Sequence, residues 1–268
     1  MQHPRDRVPV LFVHIMKNSG NSIKRNLVED NADKVTLHPL SNRHLTVSQI
    51  ETEQPGSLRR YRSFCVVRNP YARLLSMYNF QIATAQAYEA ARQHLLKTHG
   101  KPAENLPYDV VRAAANSIPG LERSAEFNRY LGEKNVSDVV KKIRRGATKD
   151  RKTLDLYSKL GFKGWAKAIC DPEKQRSKIL LAAERFLGQS QWSFISIKGK
   201  PAVERILRQE NLTEEYAAMA RELGIDGNLG RYNVSGNGGD YRDAYDEETR
   251  KMVEPFIRED LEKLGYEF

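Results

Sequence analysis

One segment near the amino terminus restricts the possible folds more than any other, because its pattern changes from strand to loop to helix within a short stretch. Val10 to Val13 is apolar and β-branched without polar alternation, as in a strand buried on both faces. Lys17 to Ser22 is polar and contains a glycine, and Ile23, Leu27 and Val28 then recur at helical spacing. The segment predicts a strand, a loop and a helix in that order.

The same order recurs later in the chain. Ser63 to Val67 predicts a second short buried strand. Asn69 is a favourable N-cap and Pro70 suits the first helical position, so a long helix is expected to begin there. Two such strand–loop–helix units predict an α/β fold, in which a P-loop-like parallel sheet is flanked by helices.

The rest of the chain is interpreted as completing one domain, residues 1–268. Residues 99–190 are predicted to form a largely helical insertion that lies over the sheet. A third strand is expected near Val203 to Leu207, a helix from Thr213, and a final helix over Asp246 to Leu264.

The cysteines and the short apolar runs indicate the compartment. Cys65 and Cys170 are too few for a disulfide framework, which favours a reducing environment. The first apolar run, Val8 to Val13, ends at His14, far short of the roughly 20 residues that a membrane helix needs. We therefore expect a soluble, cytoplasmic protein without a signal peptide, anchor or membrane span.

Positive charge is concentrated in one stretch. The net charge is +10, and Lys134 to Lys178 holds 14 Lys or Arg against 5 Asp or Glu, an excess of +9. Such a block attracts polyanions, among them nucleotides, anionic glycans and nucleic acid. A solvated helical face explains the same residues equally well, so the sequence leaves both interpretations open.

The loop after the first predicted strand has the chemistry of an anion-binding site. A loop between a buried strand and a helix presents unpaired backbone N–H groups, and Gly20 permits close approach to them. Ser19 and Ser22 add hydroxyl groups, and Lys17 adds a positive charge. The loop is not a Walker A motif, because Lys17 precedes Gly20 instead of following it. An ordinary turn with a surface lysine has the same local pattern.

Four segments resemble one protein family. Val13 to Ile23 (VHIMKNSGNSI) resembles the "HIPKTGGTSI" loop of the carbohydrate sulfotransferases that use 3′-phosphoadenosine 5′-phosphosulfate (PAPS). Val67 to Tyr78 (VRNPYARLLSMY) resembles the "VRNPYDRLLSAY" segment of that family. Arg208 to Leu212 (RQENL) is similar to its "RFENL" segment, and Leu264 to Phe268 (LGYEF) to its closing "FGYEF". The matches follow the family's order, and the chain is identified as a member.

The resemblance implies a donor site and a reaction. A sulfuryl group would pass from PAPS to a hydroxyl, leaving 3′-phosphoadenosine 5′-phosphate. Lys17 matches the catalytic lysine that contacts the bridging and phosphosulfate oxygens, while Arg68 and Ser76 match the pair that holds the 3′-phosphate. The 5′-phosphosulfate loop corresponds to Lys17, Asn18, Ser19, Gly20, Asn21 and Ser22.

A histidine is expected to act as the general base. His44, followed by Leu45 and Thr46, resembles the histidine of the family's "GHxT" segment, and the resemblance implies that it takes the acceptor's proton. His14 and His38 compete for this role. His14 is interpreted as a structural group at the end of the first strand.

The acceptor implied by the resemblance is a carbohydrate hydroxyl, on an oligosaccharide or glycoconjugate. It is expected to be held by the 99–190 insertion and by residues 233–240, where Asn233 and Ser235 resemble the family's "NxS" near the active site. No metal is expected, because the sequence contains no metal-ligand motif. No nucleic-acid partner is expected either.

Three alternatives remain open. A P-loop nucleotide kinase would share the fold, and a nucleic-acid-binding protein would explain the basic stretch. A non-catalytic PAPS-binding relative is the third, since Asn18 and Asn21 stand where the family has threonines.

Overall fold

A computed structural model of the protein describes residues 7–117, 133–145, 147–170, 189–230 and 239–268. The chain divides into two compact units. The first comprises Met1–Ser76 with Ile169–Phe268, and the second comprises Met77–Ala168. The interpretation of the chain as a single domain stays a prediction.

Six strands are present in the described residues, and four of them form a parallel sheet. The strands are β1 (Val8–Val13), β2 (Val35–Leu37), β3 (Arg62–Val67), β4 (Ser196–Ile197), β5 (Lys200–Pro201) and β6 (Arg205–Arg208). The sheet has the order β2-β1-β3-β6, and all three pairings are parallel. Strands β4 and β5 form a separate antiparallel pair. The predicted parallel sheet is therefore confirmed.

Ten α-helices are described. They are α1 (Gly20–Arg25), α2 (Val47–Glu53), α3 (Ser57–Arg60), α4 (Pro70–His99), α5 (Tyr108–Ser117), α6 (Glu133–Arg145), α7 (Ala147–Cys170), α8 (Gln191–Ile195), α9 (Leu212–Leu223) and α10 (Glu247–Leu264). Helix α1 continues as a π-helical turn, Asn26–Asp30. No helix of the described ranges combines the length and the apolar character needed to cross a membrane.

The sheet is buried on both faces, as the unbroken apolar run of β1 predicts. Val10 and Phe12 belong to one core cluster, which also contains Tyr216 of α9. Leu11 and Val13 point to the opposite face and belong to a second cluster with helices α2, α8 and α10. Each face therefore needs an apolar residue at every second position, which removes polar alternation from the strand.

The second unit has its own core, and its described elements are helical. Ala91 and Leu95 of α4 pack in one cluster with residues of α5 and α6, among them Val111 and Val140. The largely helical character predicted for residues 99–190 is confirmed in their described part. Helix α4, which was predicted to begin at Pro70, runs to His99, and its part from Met77 onward belongs to this unit.

Helix α4 begins at the predicted capping residue, and α10 is capped at both ends. The Oδ1 atom of Asn69 accepts a hydrogen bond from the Tyr71 N–H at 3.0 Å, and Pro70 is the first residue of α4. Asp246 caps α10 in the same way, and Gly265 ends that helix with a φ of 66°. Strand β6 begins at Arg205, two residues after the predicted start, and α9 begins at Leu212.

The cap of α10 provides a test of the fold. Asp246 Oδ1 accepts hydrogen bonds from the backbone N–H and the side-chain hydroxyl of Thr249, at 2.7 and 2.6 Å. Asp246→Ala should lower the free energy of unfolding by about 1 kcal/mol, the usual cost of losing an N-cap. Asp246→Asn keeps an acceptor oxygen and should lose much less. Equal losses in urea unfolding for the two variants would contradict the assigned cap.

Candidate active site

The candidate active site lies where the carboxyl ends of β1 and β3 meet. The chain leaves β1 to form β2 on one side, then crosses to form β3 on the other side of β1. In an open α/β sheet, such a reversal leaves a crevice between the two strands, and ligands bind there. The loop His14 to Ser19 follows β1, and Arg68 and Asn69 follow β3. Both predicted anion-binding segments therefore open into the same crevice.

The loop after β1 takes a strained backbone path. Lys17 has a φ of 71° and Ser19 a φ of 53°. Both values lie in the left-handed region, which residues other than glycine rarely adopt. Left-handed residues in a turn aim backbone N–H groups toward a common point, which suits anion binding. Such strain is tolerated where the surrounding structure fixes the loop.

Gly20 is required by the ring of His14. A Cβ atom at position 20 would lie 1.9 Å from His14 Nε2. His14 is buried, and its Nδ1 atom has no hydrogen-bond partner among the described residues. Burial, together with the charge of Lys24, lowers the pKa of His14 well below its ordinary value, so the ring is neutral at pH 7.

Lys17 and Arg68 come together across the two loops. Arg68 Nη1 donates to the Lys17 carbonyl oxygen at 3.5 Å. Burial and the charge of Arg68 lower the pKa of Lys17 to about 8, and burial also lowers the pKa of Arg68, against the opposing effect of Glu210. Concentrating two partly desolvated cations in this way favours an anionic ligand.

Ser76 presents a buried hydroxyl in α4. The residue is 3% exposed, and its Oγ atom has no hydrogen-bond partner within the described ranges. Leaving a buried hydroxyl unsatisfied costs free energy, which an acceptor oxygen of a bound anion would recover. The residues predicted for the 3′-phosphate therefore fit that group chemically.

The other predicted loop residues differ in how deeply their side chains are buried. Asn18 is buried, and its Nδ2 atom donates to the Val66 carbonyl oxygen at 2.8 Å and to Gln191 Oε1 at 2.7 Å. Its side chain thus fastens the loop to β3 and α8. Ser22 is buried in α1, whereas Asn21 is exposed.

His44 reaches the loop from the segment between β2 and α2. Its Nδ1 atom lies 3.0 Å from the backbone oxygen of His14, and the two imidazole rings are 4.1 Å apart between centroids. A carbonyl oxygen can only accept, so Nδ1 carries the proton and Nε2 carries the lone pair of the neutral ring. Burial lowers the pKa of His44, and the charges of Lys24 and Arg73 act in the same direction.

His38 is placed in a structural role. Its Nδ1 atom accepts from the Leu40 N–H at 3.1 Å, and Nε2 lies 2.9 Å from Ser57 Oγ. Both ring nitrogens are used in local structure, and the residue is fully buried. Of the three histidines considered, His14 and His44 lie at the crevice.

Several buried polar residues at the site were missed by the sequence analysis. Gln191 contacts both Asn18 and Arg68, and Asp260 contacts Gln191. Arg73 Nε donates to the Met16 carbonyl oxygen at 3.2 Å. Asp260 could have been found from the sequence, because it lies on the mainly apolar stripe of α10, whose other buried members are Thr249, Val253, Ile257 and Leu264. Gln191 has no comparable signal, since its helix has only five residues.

Lys24 was also missed. It lies on α1, one turn after Gly20, and is 3% exposed. Burial lowers its pKa to about 7, and its charge acts on both His14 and His44. A lysine in this state adds charge to the histidine side of the crevice at neutral pH.

The residues predicted for the acceptor side and the basic stretch are described only in part. Asn233 and Ser235 lie outside the described residues. Of the basic stretch, α6 turns Val140 and Ile143 into the core of the second unit and leaves Lys141 and Lys142 exposed. Within the described ranges, no three His, Cys, Asp or Glu side chains could hold a metal ion together, and the metal-free expectation stays a prediction.

Comparison with known proteins identifies the family. The profile of the sulfotransferase family matches residues 5–267. Searches of curated proteins and of solved structures found no similar protein. Because the match covers nearly the whole chain, and because the anion-binding loop lies at the switch point of the sheet, the chain belongs to the sulfotransferase family.

Proposed function

We propose that this sulfotransferase moves a sulfuryl group from PAPS to a carbohydrate hydroxyl, with His44 as the general base. The observation that carries the proposal is the meeting of two anion anchors at one crevice. Arg68 donates to the carbonyl oxygen of Lys17, and Ser76 adds a buried hydroxyl without a partner among the described residues. A nucleotide with anionic groups at both its 5′ and 3′ positions matches this pair of anchors.

The donor, when bound, supplies the sulfuryl group and leaves as 3′-phosphoadenosine 5′-phosphate. Lys17 and the backbone N–H groups of its loop would balance the negative charge that grows on the leaving phosphate oxygen. Arg68 and Ser76 would hold the 3′-phosphate, because a guanidinium and a hydroxyl both donate to phosphate oxygens. The bond between sulfur and the bridging oxygen of the 5′-phosphate would break as the bond between sulfur and the acceptor oxygen forms, and the acceptor's proton would pass to His44.

His44 would take the proton of the acceptor hydroxyl at Nε2. The hydrogen bond from Nδ1 to the His14 carbonyl oxygen fixes the ring and assigns its lone pair to Nε2. The lowered pKa of His44 keeps the ring neutral at pH 7, so it is ready to accept a proton. His14 supports this arrangement through its carbonyl oxygen and its ring.

The proposed acceptor is a hydroxyl group of a carbohydrate. The family resemblance of the loop segments supports it, and Asn233 and Ser235 are proposed acceptor-side residues. The exposed lysines of α6 suit an anionic glycan, although they also fit a solvated helical face.

The proposal is tested by incubating the protein with PAPS and a panel of neutral and anionic oligosaccharides in excess EDTA. Mass spectrometry should detect gains of one sulfuryl group. Phosphorylated products formed from ATP only when Mg²⁺ is present would support the kinase alternative. Salt-sensitive DNA or RNA binding without any sulfated product would support the nucleic-acid alternative.

Replacing Lys17 tests its role toward the leaving group. Lys17→Ala should reduce sulfuryl transfer by about 10²–10³-fold, the usual effect of removing one donor to a developing negative charge. The exposed Lys34 gives a matched control, and Lys34→Ala should keep the wild-type rate. Initial rates and circular dichroism check both variants. Lys17→Ala activity within about twofold of wild type would remove this lysine from the mechanism.

Arg68 and Ser76 are tested by nucleotide binding. The wild type should bind 3′-phosphoadenosine 5′-phosphate far more tightly than AMP, and Arg68→Ala should remove most of this preference. Ser76→Ala should also weaken the preference but leave the free energy of unfolding unchanged or higher, since it removes an unsatisfied buried hydroxyl. Calorimetry and urea unfolding give the two quantities. Equal affinity of the wild type for the two nucleotides would refute the assignment.

The pH dependence of kcat/KM tests His44. A base works only when it is unprotonated, so kcat/KM, which reports the free enzyme, should fall at acid pH, with a midpoint below the ordinary histidine value because the pKa of His44 is lowered. His44→Ala should lower kcat by about 10²–10⁴-fold and abolish this acid limb. His94→Ala, at an exposed position of α4, is the control. An acid limb that persists in His44→Ala would place the base elsewhere.

A further inference from the structure

We infer that Gln191, held in place by Asp260, is a positioning residue that sets the distance between the 5′-phosphosulfate loop and Arg68. The inference rests on the proposed function, because it assumes that these two anchors bind one nucleotide. It adds a residue that contacts neither the nucleotide nor the acceptor and acts through the two anchors. Gln191 is the first residue of α8 and is fully buried.

Gln191 pairs with the backbone of Arg68 through both ends of its carboxamide. Its Oε1 atom accepts from the Arg68 N–H at 2.9 Å, and its Nε2 atom donates to the Arg68 carbonyl oxygen at 2.8 Å. This two-point contact imitates strand pairing just beyond the end of β3. It therefore fixes the backbone from which the Arg68 side chain extends.

The same carboxamide also holds the loop after β1. Gln191 Oε1 accepts a second hydrogen bond, from Asn18 Nδ2, at 2.7 Å. Asn18 is the neighbour of Lys17, whose left-handed backbone needs support from its surroundings. One fully buried side chain thus joins the loop that would hold the 5′ end of the donor to the residue that would hold its 3′-phosphate.

Asp260 fixes which way the carboxamide faces. Its Oδ2 atom accepts from Gln191 Nε2 at 3.2 Å, and its Oδ1 atom accepts from the Trp192 N–H at 2.9 Å. Arg73 lies 4.0 Å from Asp260 Oδ2 and donates to the Met16 carbonyl oxygen, so it supports the loop from a second point. All four hydrogen-bonding positions of the Gln191 carboxamide are satisfied, which makes a flipped arrangement unfavourable.

The distance between the anchors matters because a bisphosphate must meet both at once. Binding at the second anchor is intramolecular, so the gain in affinity depends on how well the ligand's span matches the spacing. A ligand with a single phosphate can occupy either anchor without sensing that spacing. An error in spacing should therefore weaken the bisphosphate and spare the monophosphates.

Gln191→Glu is the test, since it keeps the shape and replaces the Nε2 donor with an oxygen. That oxygen would face the Arg68 carbonyl and the Asp260 carboxylate, both acceptors, and the repulsion should move Arg68 relative to the loop. Affinities are measured by calorimetry for 3′-phosphoadenosine 5′-phosphate, 5′-AMP and 3′-AMP. We expect at least about a tenfold loss for the bisphosphate and less than about a twofold change for each monophosphate.

Asn31→Asp is the matched control. Asn31 is also a fully buried carboxamide of the first unit, and its Nδ2 and Oδ1 atoms pair with the backbone of Asp226. The change is the same amide-to-carboxylate replacement, but no contact of Asn31 joins the anchors. It should lower stability while preserving the ratio of bisphosphate to monophosphate affinity.

Asp260→Asn alters the hydrogen bond between Gln191 and Asp260 at the Asp260 end. It serves as the test if Gln191→Glu does not fold. It offers one acceptor oxygen to two donors, Gln191 Nε2 and the Trp192 N–H, so a smaller loss with the same pattern is expected. Equal losses for all three nucleotides, or no loss in the folded variants, would overturn the positioning role and leave the proposed function standing. A wild type without preference for the bisphosphate would overturn both.

Discussion

The parallel pairing of β1 with β3 is the constraint on which the rest of the site depends. Because the chain first turns to β2 and then crosses to β3, the carboxyl ends of the neighbouring strands β1 and β3 carry two separate loops at one edge of the sheet. One loop brings Lys17 and the other brings Arg68, and the two residues meet at 3.5 Å. Helices α2 and α8, which pack on the same face of the sheet, then supply the groups that hold these loops, namely His44 before α2 and Gln191 at the start of α8.

The sequence predicts well what depends on local pattern. The strand of β1, the cap at Asn69 and the start of α4 at Pro70 each follow from a few neighbouring residues. Strand β2 has only three residues, too few for a periodic signal, and Gln191 acts through contacts more than a hundred positions away along the chain. Asp260 is an intermediate case. Its position on the mainly apolar stripe of α10 can be recognised in the sequence, but the residues that it contacts cannot.

Buried polar groups concentrate beneath the anion-binding loop, and they lower the stability that apolar side chains could provide there. Arg73 and Asp260 are 4% and 3% exposed and lie 4.0 Å apart, so their attraction must offset the cost of removing both charges from water. Their hydrogen bonds to Met16, Gln191 and Trp192 define one loop geometry, which is what a site that must hold a charged ligand in register requires.

The different proposed roles of Arg68 and Lys17 follow from how burial affects the protonation of each side chain. Arg68 stays charged at every accessible pH, which suits a group that only holds a phosphate in place. Lys17 has a pKa of about 8, so it is an ammonium at neutral pH yet releases its proton more readily than an exposed lysine. A donor whose pKa lies nearer that of the leaving group can strengthen its hydrogen bond as negative charge develops. In the proposed reaction, the burial that makes Lys17 costly in the free protein would therefore prepare it for the step in which charge leaves with the nucleotide.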